Sequence, residues 1–415
     1  MNTYLILIIF AYIAVVIFGY WLDSLNLSHL KKHGSVIPPE FKGKIDGELL
    51  TKTKNYTVEK TRFGFVSSIF DNIILLLFLF GGILNIYNSW VASMQMNFIL
   101  SGLVFFLLLT YAQTIISTPF SLYSTFKIEK KYGFNTMTIK LWVIDFVKSL
   151  ALSTVLMGIL LSVGLLLIQK SPELWWLWVW CFFFAFTIFM MYISPYVLEP
   201  LFNKFTPIED EAFVDDIKVL MQKAGIKVSR VFKMDASKRT KHTNAYFSGI
   251  GKVKRIVLFD TLLEKLEKDE ILSVLAHEAG HWKKKHQLKM LAVTEIIALA
   301  VTFIAFKAMQ SDFLAELFNI AESTFFAKII IFSFILSIVS FPFSPIFNWF
   351  SRRHEKDADR FSYKLTGNPE GMISSLVKLS KDNLSNLHPH PLYALFHYSH
   401  PPVLQRIKQI REMLK

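Results

Sequence analysis

The sequence predicts a mainly α polytopic membrane protein, with seven transmembrane helices and a smaller membrane-edge domain carrying a small β-sheet. Three observations predict it. The 415 residues are 53% hydrophobic and only 19% charged, with 40 Phe, whereas a soluble domain carries about 25% charged residues. Seven apolar stretches are long enough to cross a bilayer as helices, which takes about 20 residues each. The basic residues alternate from one connection to the next. A purely soluble or disordered chain is excluded, since one soluble core of ordinary size cannot bury that much apolar surface.

The spans run approximately over 3–22, 65–88, 97–117, 146–168, 175–198, 288–307 and 327–349. The first lacks a basic flank and a small-residue cleavage site, so it reads as a retained anchor. Of the 45 Lys and Arg, 40 fall in 23–64, 118–140, 200–287 and 351–415. The opposite connections and their edges hold only Lys170, Lys307 and Lys328, and Lys148 and Lys289 sit at span edges. Such a split predicts a cytoplasmic position for the first set, an outside or lumenal N-terminus and a cytoplasmic C-terminus. It also accounts for the net charge of +13 without nucleic acid. The lone Cys181 rules out a disulfide framework or a Cys-ligated cluster.

The expected organisation is 1–199 for spans one to five with their loops, 200–287 for the first part of a membrane-edge domain, 288–349 for spans six and seven, and 350–415 for its second part. Within 200–287 the pattern predicts a helix over 208–224 and strands Val228–Met234, Ala245–Ser248 and Arg255–Phe259. Helices follow from about Leu262 and from about Asp269. Residues 350–415 read as helical, with a Pro- and His-rich break over 388–402.

The chemistry concentrates at His277-Glu278-Ala279-Gly280-His281. Residues four apart share a helix face, and two imidazoles on one face can hold one zinc ion. Zinc acidifies water, and a carboxylate beside it, here Glu278, takes the proton. A catalytic zinc needs a third protein ligand and an open position. Glu355 and Asp359 lie four apart in a charged segment directly after the seventh span. One of them can ligate while the other accepts the N–H of a ligand His. His354 is a further possible ligand by residue type, though it faces about 100° from Glu355. His286, in a basic run, and His388, His390 and His397 read as surface residues. His400, beside two prolines, is a possible hydrogen-bond donor to an oxyanion. Asn244–Ser248 reads as a strand that either pairs internally or offers an edge to an extended peptide.

Several stretches together carry a resemblance: Ile128–Asn135 (IEKKYGFN), Pro200–Pro207 (PLFNKFTP), Asp235–Gly249 (DASKRTKHTNAYFSG), Arg255–Leu263, His277–Lys283, Arg352–Asp359 and Ser399–Pro402 (SHPP). In order and spread along nearly the whole chain, they are similar to the integral-membrane zinc metalloproteases of the type I CAAX prenyl protease (Ste24-like) family. The resemblance implies His277, His281 and Glu355 as ligands of one zinc ion per chain, with Glu278 as general base. It implies Asp359 as the acid behind a ligand, His400 near the scissile carbonyl, and Arg406 beside it, grouped with Asp359 behind the ligands. Asn244, with Ala245 and Tyr246, is implied to hold the substrate backbone. It further implies seven helices forming a barrel around an internal chamber, with the zinc site opening into it near the cytoplasmic face.

The expected function is therefore a zinc metalloendopeptidase acting on protein or peptide substrates at the lipid bilayer, with or without a lipid group on them. The prenyl-directed reading competes with general turnover of membrane proteins. The expected membrane is the bacterial inner membrane, or the endoplasmic reticulum or inner nuclear membrane of a eukaryote. A transporter keeping a structural zinc is disfavoured, because structural zinc is normally closed by four protein ligands.

Overall fold

The computed structural model describes residues 2–248 and 253–413; Gly249, which ends one of the stretches quoted above, lies outside the described residues. The chain begins with helices α1 (Thr3–His33), α2 (Gly47–Phe80), α3 (Ile83–Ser93), α4 (Phe98–Tyr123), α5 (Lys130–Tyr132), α6 (Ile139–Lys170), α7 (Trp175–Ile193) and α8 (Glu199–Phe202). Strand β1 (Phe205–Pro207), α9 (Glu211–Lys223), β2 (Lys227–Met234), β3 (Ala245–Ser248), β4 (Val253–Phe259), α10 (Asp260–Lys265) and α11 (Lys268–Lys283) follow. Then come α12 (His286–Met309), α13 (Phe313–Leu317), α14 (Phe325–Ser340), α15 (Ser344–Thr366), α16 (Pro369–Asp382), α17 (Pro391–His397) and α18 (Val403–Glu412).

Seven helices among the described residues are long and apolar enough to cross a bilayer, the number expected. Small polar side chains start many of them by accepting an otherwise unpaired backbone N–H: Asp46 for α2, Asn97 for α4, Thr138 for α6 and Thr324 for α14. Two boundaries differ from the sequence reading. The second span was expected to run unbroken over 65–88, but α2 ends at Phe80. Gly82 takes φ +82, and a Cβ on Gly81 would stand 2.5 Å from the Leu77 carbonyl oxygen. Two adjacent glycines thus turn the chain where hydropathy alone shows no break. The seventh span is jointed by a 3₁₀ turn at Phe341–Phe343, where Pro342 removes a backbone donor. Proline also accompanies the π-helical turns Ser124–Glu129, shortly after Pro119, and Ser194–Leu198, which contains Pro195.

Each spanning helix packs on its two neighbours around the ring, and α4 also meets α14 across it near their first turns, where Gly102 faces Phe326. The order is α1, α2, α4 through its π-helical extension, α6, α7, α12, α14 and back to α1, which closes a ring. Only 6–17% of the residues in the apolar windows are buried. A solid bundle would bury an apolar stripe on every helix, so this ring is hollow along much of its length. Its packed apolar cluster gathers near α3 and α13, on Leu84, Val91, Phe105, Leu314, Phe326 and Ile331.

The remaining chain forms a four-stranded sheet in the order β1-β2-β4-β3, with β2 and β4 parallel and both edges antiparallel. The short edge strand β1 was not expected. A second apolar core joins the sheet to α9 and α11 through Ile217, Met221, Val231, Ile256, Leu258 and Leu275. The 388–402 stretch, expected as a break, contains α17. Arg352 of α15 caps it, donating to the carbonyls of Ala394 (3.2 Å) and Tyr398 (2.6 Å). Arg239 tethers the sheet unit to α6 by a two-pronged pair with Asp145 at 2.8 and 3.1 Å.

Candidate active site

Helix α11 carries the two histidines. It starts with a capping box, in which the Glu267 and Glu270 side chains and backbones satisfy each other. Buried Glu270 also accepts from Ser374 Oγ at 2.6 Å and pairs with Lys378 at 2.9 Å, which binds α11 to α16. Burial raises the Glu270 carboxyl, but the bonds from Ser374, Lys378 and the Glu267 backbone outweigh it and hold it below the ordinary carboxylate range.

Helix α15 carries the carboxylates and lies hard against α11. Gly280 sits between the two ligand positions, and a Cβ there would stand 3.0 Å from the Ala358 Cα and 3.1 Å from its carbonyl oxygen. Ser362 Oγ donates to the Ser273 carbonyl at 2.8 Å, further along the same contact. This close approach brings Glu355 onto the two imidazoles. His281 Nε2 is 3.1 Å from His277 Nε2 and 3.1 Å from Glu355 Oε1, and His277 Nε2 is 3.4 Å from Glu355 Oε2. Donor atoms on a tetrahedral zinc with bonds of about 2.0–2.2 Å stand about 3.3 Å apart. The three side chains therefore fit the ion, and Glu355 Oε2 is a buried oxygen with no hydrogen-bond donor among the described residues.

Asp359 lies behind this triangle; the four-residue spacing predicts only that it shares a helix face with Glu355. His277 Nδ1 is 2.8 Å from Asp359 Oδ1, so the outer nitrogen donates and Nε2 keeps its lone pair for a metal. Arg406 of α18 clamps Asp359 with Nε at 2.9 Å and Nη2 at 2.6 Å, and its Nη1 lies 3.6 Å from Glu355 Oε2. Burial disfavours the His277 imidazolium, yet Asp359 and Glu355 lift it to about 9 without a metal. A cation entering this site displaces a proton.

Glu278 is half-buried and its charge acts on Arg406. His400 is exposed at the rim, with Nε2 3.4 Å from Glu355 Oε1 and Nδ1 3.0 Å from Ser399 Oγ. It lines a cleft of about 490 Å³ that Arg406, Asn383 and Tyr398 also face. The fold thus gathers His277, Glu278, His281, Glu355, Asp359, His400 and Arg406 from three distant segments.

Strand β3 packs against α11 and forms an edge of the sheet. The Phe259 N–H donates to the Asn244 carbonyl, and in an antiparallel ladder such bonded pairs alternate. The backbone of Tyr246 therefore faces β4, while Ala245 and Phe247 face the open edge. The Asn244 amide oxygen accepts the Ala245 N–H at 2.9 Å. The Tyr246 hydroxyl donates to Glu199 at 2.7 Å, away from that edge.

His354 is not part of the ligand triangle; its ring stacks on His286 at 4.1 Å and 8°. His388 reaches the Val36 carbonyl and His390 caps α17, both apart from the site. His286 corrects the surface expectation. It is only 3% exposed, and its Nδ1 lies 3.1 Å from His281 Nδ1. The basic run that suggested a solvated edge ends at Lys285, whose positive φ of +56 turns the chain inward. Arg352 was missed too, although the charged segment that contains it was noted.

Two family models cover the chain: CAAX prenyl protease N-terminal, five membrane helices, over residues 26–204, and peptidase family M48 over 207–414. The chain is 32% identical to CAAX prenyl protease 1 of Saccharomyces cerevisiae, covering 89% of this chain and 87% of that one. It is 34% identical to the CAAX prenyl protease 1 homolog of Arabidopsis thaliana, over 96% and 95%. The crystal structure of S. mikatae Ste24p superposes with a TM-score of 0.91 at 31% identity, covering 99% of both chains.

Proposed function

The chain belongs to peptidase family M48 and is a membrane-embedded metalloprotease of the CAAX prenyl protease type; from that premise we propose how its residues work and on what. The metal is one zinc ion per chain, held by His277, His281 and Glu355. The observation that carries this is the triangle of donor atoms at 3.1–3.4 Å. When bound, zinc supplies a Lewis acid for the scissile carbonyl and acidifies the attacking water.

Glu278 takes the proton of that water and delivers it to the leaving nitrogen. His400, on the cleft side, donates a hydrogen bond to the carbonyl oxygen as charge develops there. Arg406 holds Asp359, and Asp359 fixes the tautomer of His277. The substrate lies extended along the edge of β3, paired with the outward backbone groups of Ala245 and Phe247, with the Asn244 amide at the end of the strand. Residues 200–287 and 350–415 act as one protease unit, supported by the contact of α11 with α15 and α16. A cytoplasmic position for that unit is supported by the 40-to-3 distribution of Lys and Arg between the two sets of connections.

The substrate class is the C-terminal segment of membrane-associated protein carrying a prenyl group. The names of the relatives support this choice over general turnover of membrane proteins. The test is cleavage of a farnesylated CAAX peptide and its unmodified twin by the detergent-purified chain and by Glu278→Gln. The expected result is faster cleavage of the farnesylated peptide by the wild type and none by Glu278→Gln, with zinc present in both proteins. Equal cleavage of the two peptides contradicts the prenyl preference, and undiminished activity of Glu278→Gln contradicts its role as base.

A further inference from the structure

We infer that His286 is a positioning residue for the metal: it accepts the outer N–H of His281 and, locked in place by His354, fixes which nitrogen of His281 faces the ion. This rests on the zinc reading above. The two ligand histidines need the same service, and the fold provides it in two ways. His277 Nδ1 meets a carboxylate, Asp359, at 2.8 Å. His281 Nδ1 meets a second imidazole, His286 Nδ1, at 3.1 Å.

The proton arrangement follows from the geometry. His281 Nε2 is the atom in the donor triangle, so a metal-binding His281 carries its proton on Nδ1. His286 Nδ1 must then present its lone pair, and the His286 proton sits on Nε2. That Nε2 is buried with no hydrogen-bond partner among the described residues. Either tautomer leaves it unsatisfied, so burying this ring costs stability, and the gain is at His281.

The surroundings are built for this contact. Helix α11 ends at Lys283, and Lys285 takes the left-handed conformation, φ +56 and ψ 36, that a lysine adopts only at a cost. That single residue turns the chain so that the first side chain of α12 points back at the last ligand of α11. His354, next to the ligand Glu355 on α15, then lies flat on the His286 ring at 4.1 Å and 8°. Three rings from three helices thus form one stack and one hydrogen bond. Because α12 is a membrane span, the orientation of His281 is referenced to the helical ring itself.

The inference separates hydrogen bonding from bulk. An Asn side chain places its amide oxygen near the position of a His Nδ1, so His286→Asn keeps an acceptor, whereas His286→Leu keeps volume and loses it. Full-length wild type and both variants, purified in detergent and stripped of metal, are titrated with zinc against a competing chelator. In parallel they are loaded with cobalt(II) and their d–d absorption is recorded. The expected result is zinc affinity about 10- to 100-fold weaker in His286→Leu, with a shifted cobalt spectrum, and recovery of both in His286→Asn. His354→Phe, which keeps a flat ring, behaves as wild type, and His354→Ala moves toward His286→Leu. Melting of the metal-free proteins verifies that each is folded. Equal weakening in His286→Leu and His286→Asn, or none in either, overturns the inference. A wild type that takes up no zinc overturns the zinc reading as well, which distinguishes the two failures.

Discussion

The ring of spans and the seat of the metal are built on opposite principles. In the ring, seven apolar helices pack mainly on their neighbours and leave most residues of their apolar windows unburied. At the α11–α15 contact, two polar helices meet backbone to backbone across Gly280, and buried Glu355, Asp359 and His277 are each held by a charged or imidazole partner. The ring encloses, and its tolerance is in composition. The seat orients, and its tolerance is in tenths of an ångström. A small change should therefore be felt at the seat and pass unnoticed on the ring.

The largest effect short of deleting a ligand is expected at Asp359→Asn. It releases His277 and leaves Arg406 buried without its carboxylate partner. Removing one partner of a buried pair costs about 3–5 kcal/mol, and zinc affinity should fall about 10- to 100-fold, read by chelator competition. Next comes Gly280→Ala, which alters no chemical group. Its methyl meets the Ala358 backbone at 3.0 Å, and overpacking of this kind costs about 1–3 kcal/mol. Zinc affinity should weaken with it, because the helices separate; unchanged affinity would show that the close contact does not set the donor triangle.

Glu270→Gln tests the far end of the same helix. The folded carboxyl is held below its ordinary value of 4.5, so its contribution is present above about pH 4.5 and fades as pH falls through the lowered folded value. The variant should lose about 1–3 kcal/mol at pH 7, and its melting temperature should converge on the wild type in acid. The smallest effect is expected on the ring. Ile296 of α12 is 68% exposed, and Ile296→Ala should change stability by no more than about 0.5 kcal/mol and leave zinc binding alone. A large loss there would erase the contrast between the two regions.

Legibility in the sequence follows the same divide. The spans were readable because apolar length is a local property, and their joints were not. Gly81-Gly82 and Pro342 redirect helices inside runs whose hydropathy stays high. At the site, His277, Glu278 and His281 are neighbours on one turn, and Glu355 and Asp359 share a helix face, so spacing alone exposes them. His400 and Arg406 reach the site only through the packing of α17 and α18; the two prolines beside His400 gave a faint signal, and resemblance alone pointed to Arg406. His286 was misread because its basic neighbours suggested solvent, while the backbone conformation that turns it inward leaves no mark on composition. The edge position of β3 depends on sheet order, which the strand itself does not encode.

The central claim is that one zinc ion is held by two imidazoles of α11 and one carboxylate of α15. Elemental analysis of the purified full-length chain beside Glu355→Ala tests it most directly. The account predicts one zinc per wild-type chain, peptide cleavage lost on stripping the ion and regained on its return, and an affinity reduced more than about 100-fold in the variant, beyond the effect of losing an outer partner. Full zinc occupancy in Glu355→Ala, or cleavage by a metal-free wild type, would contradict it.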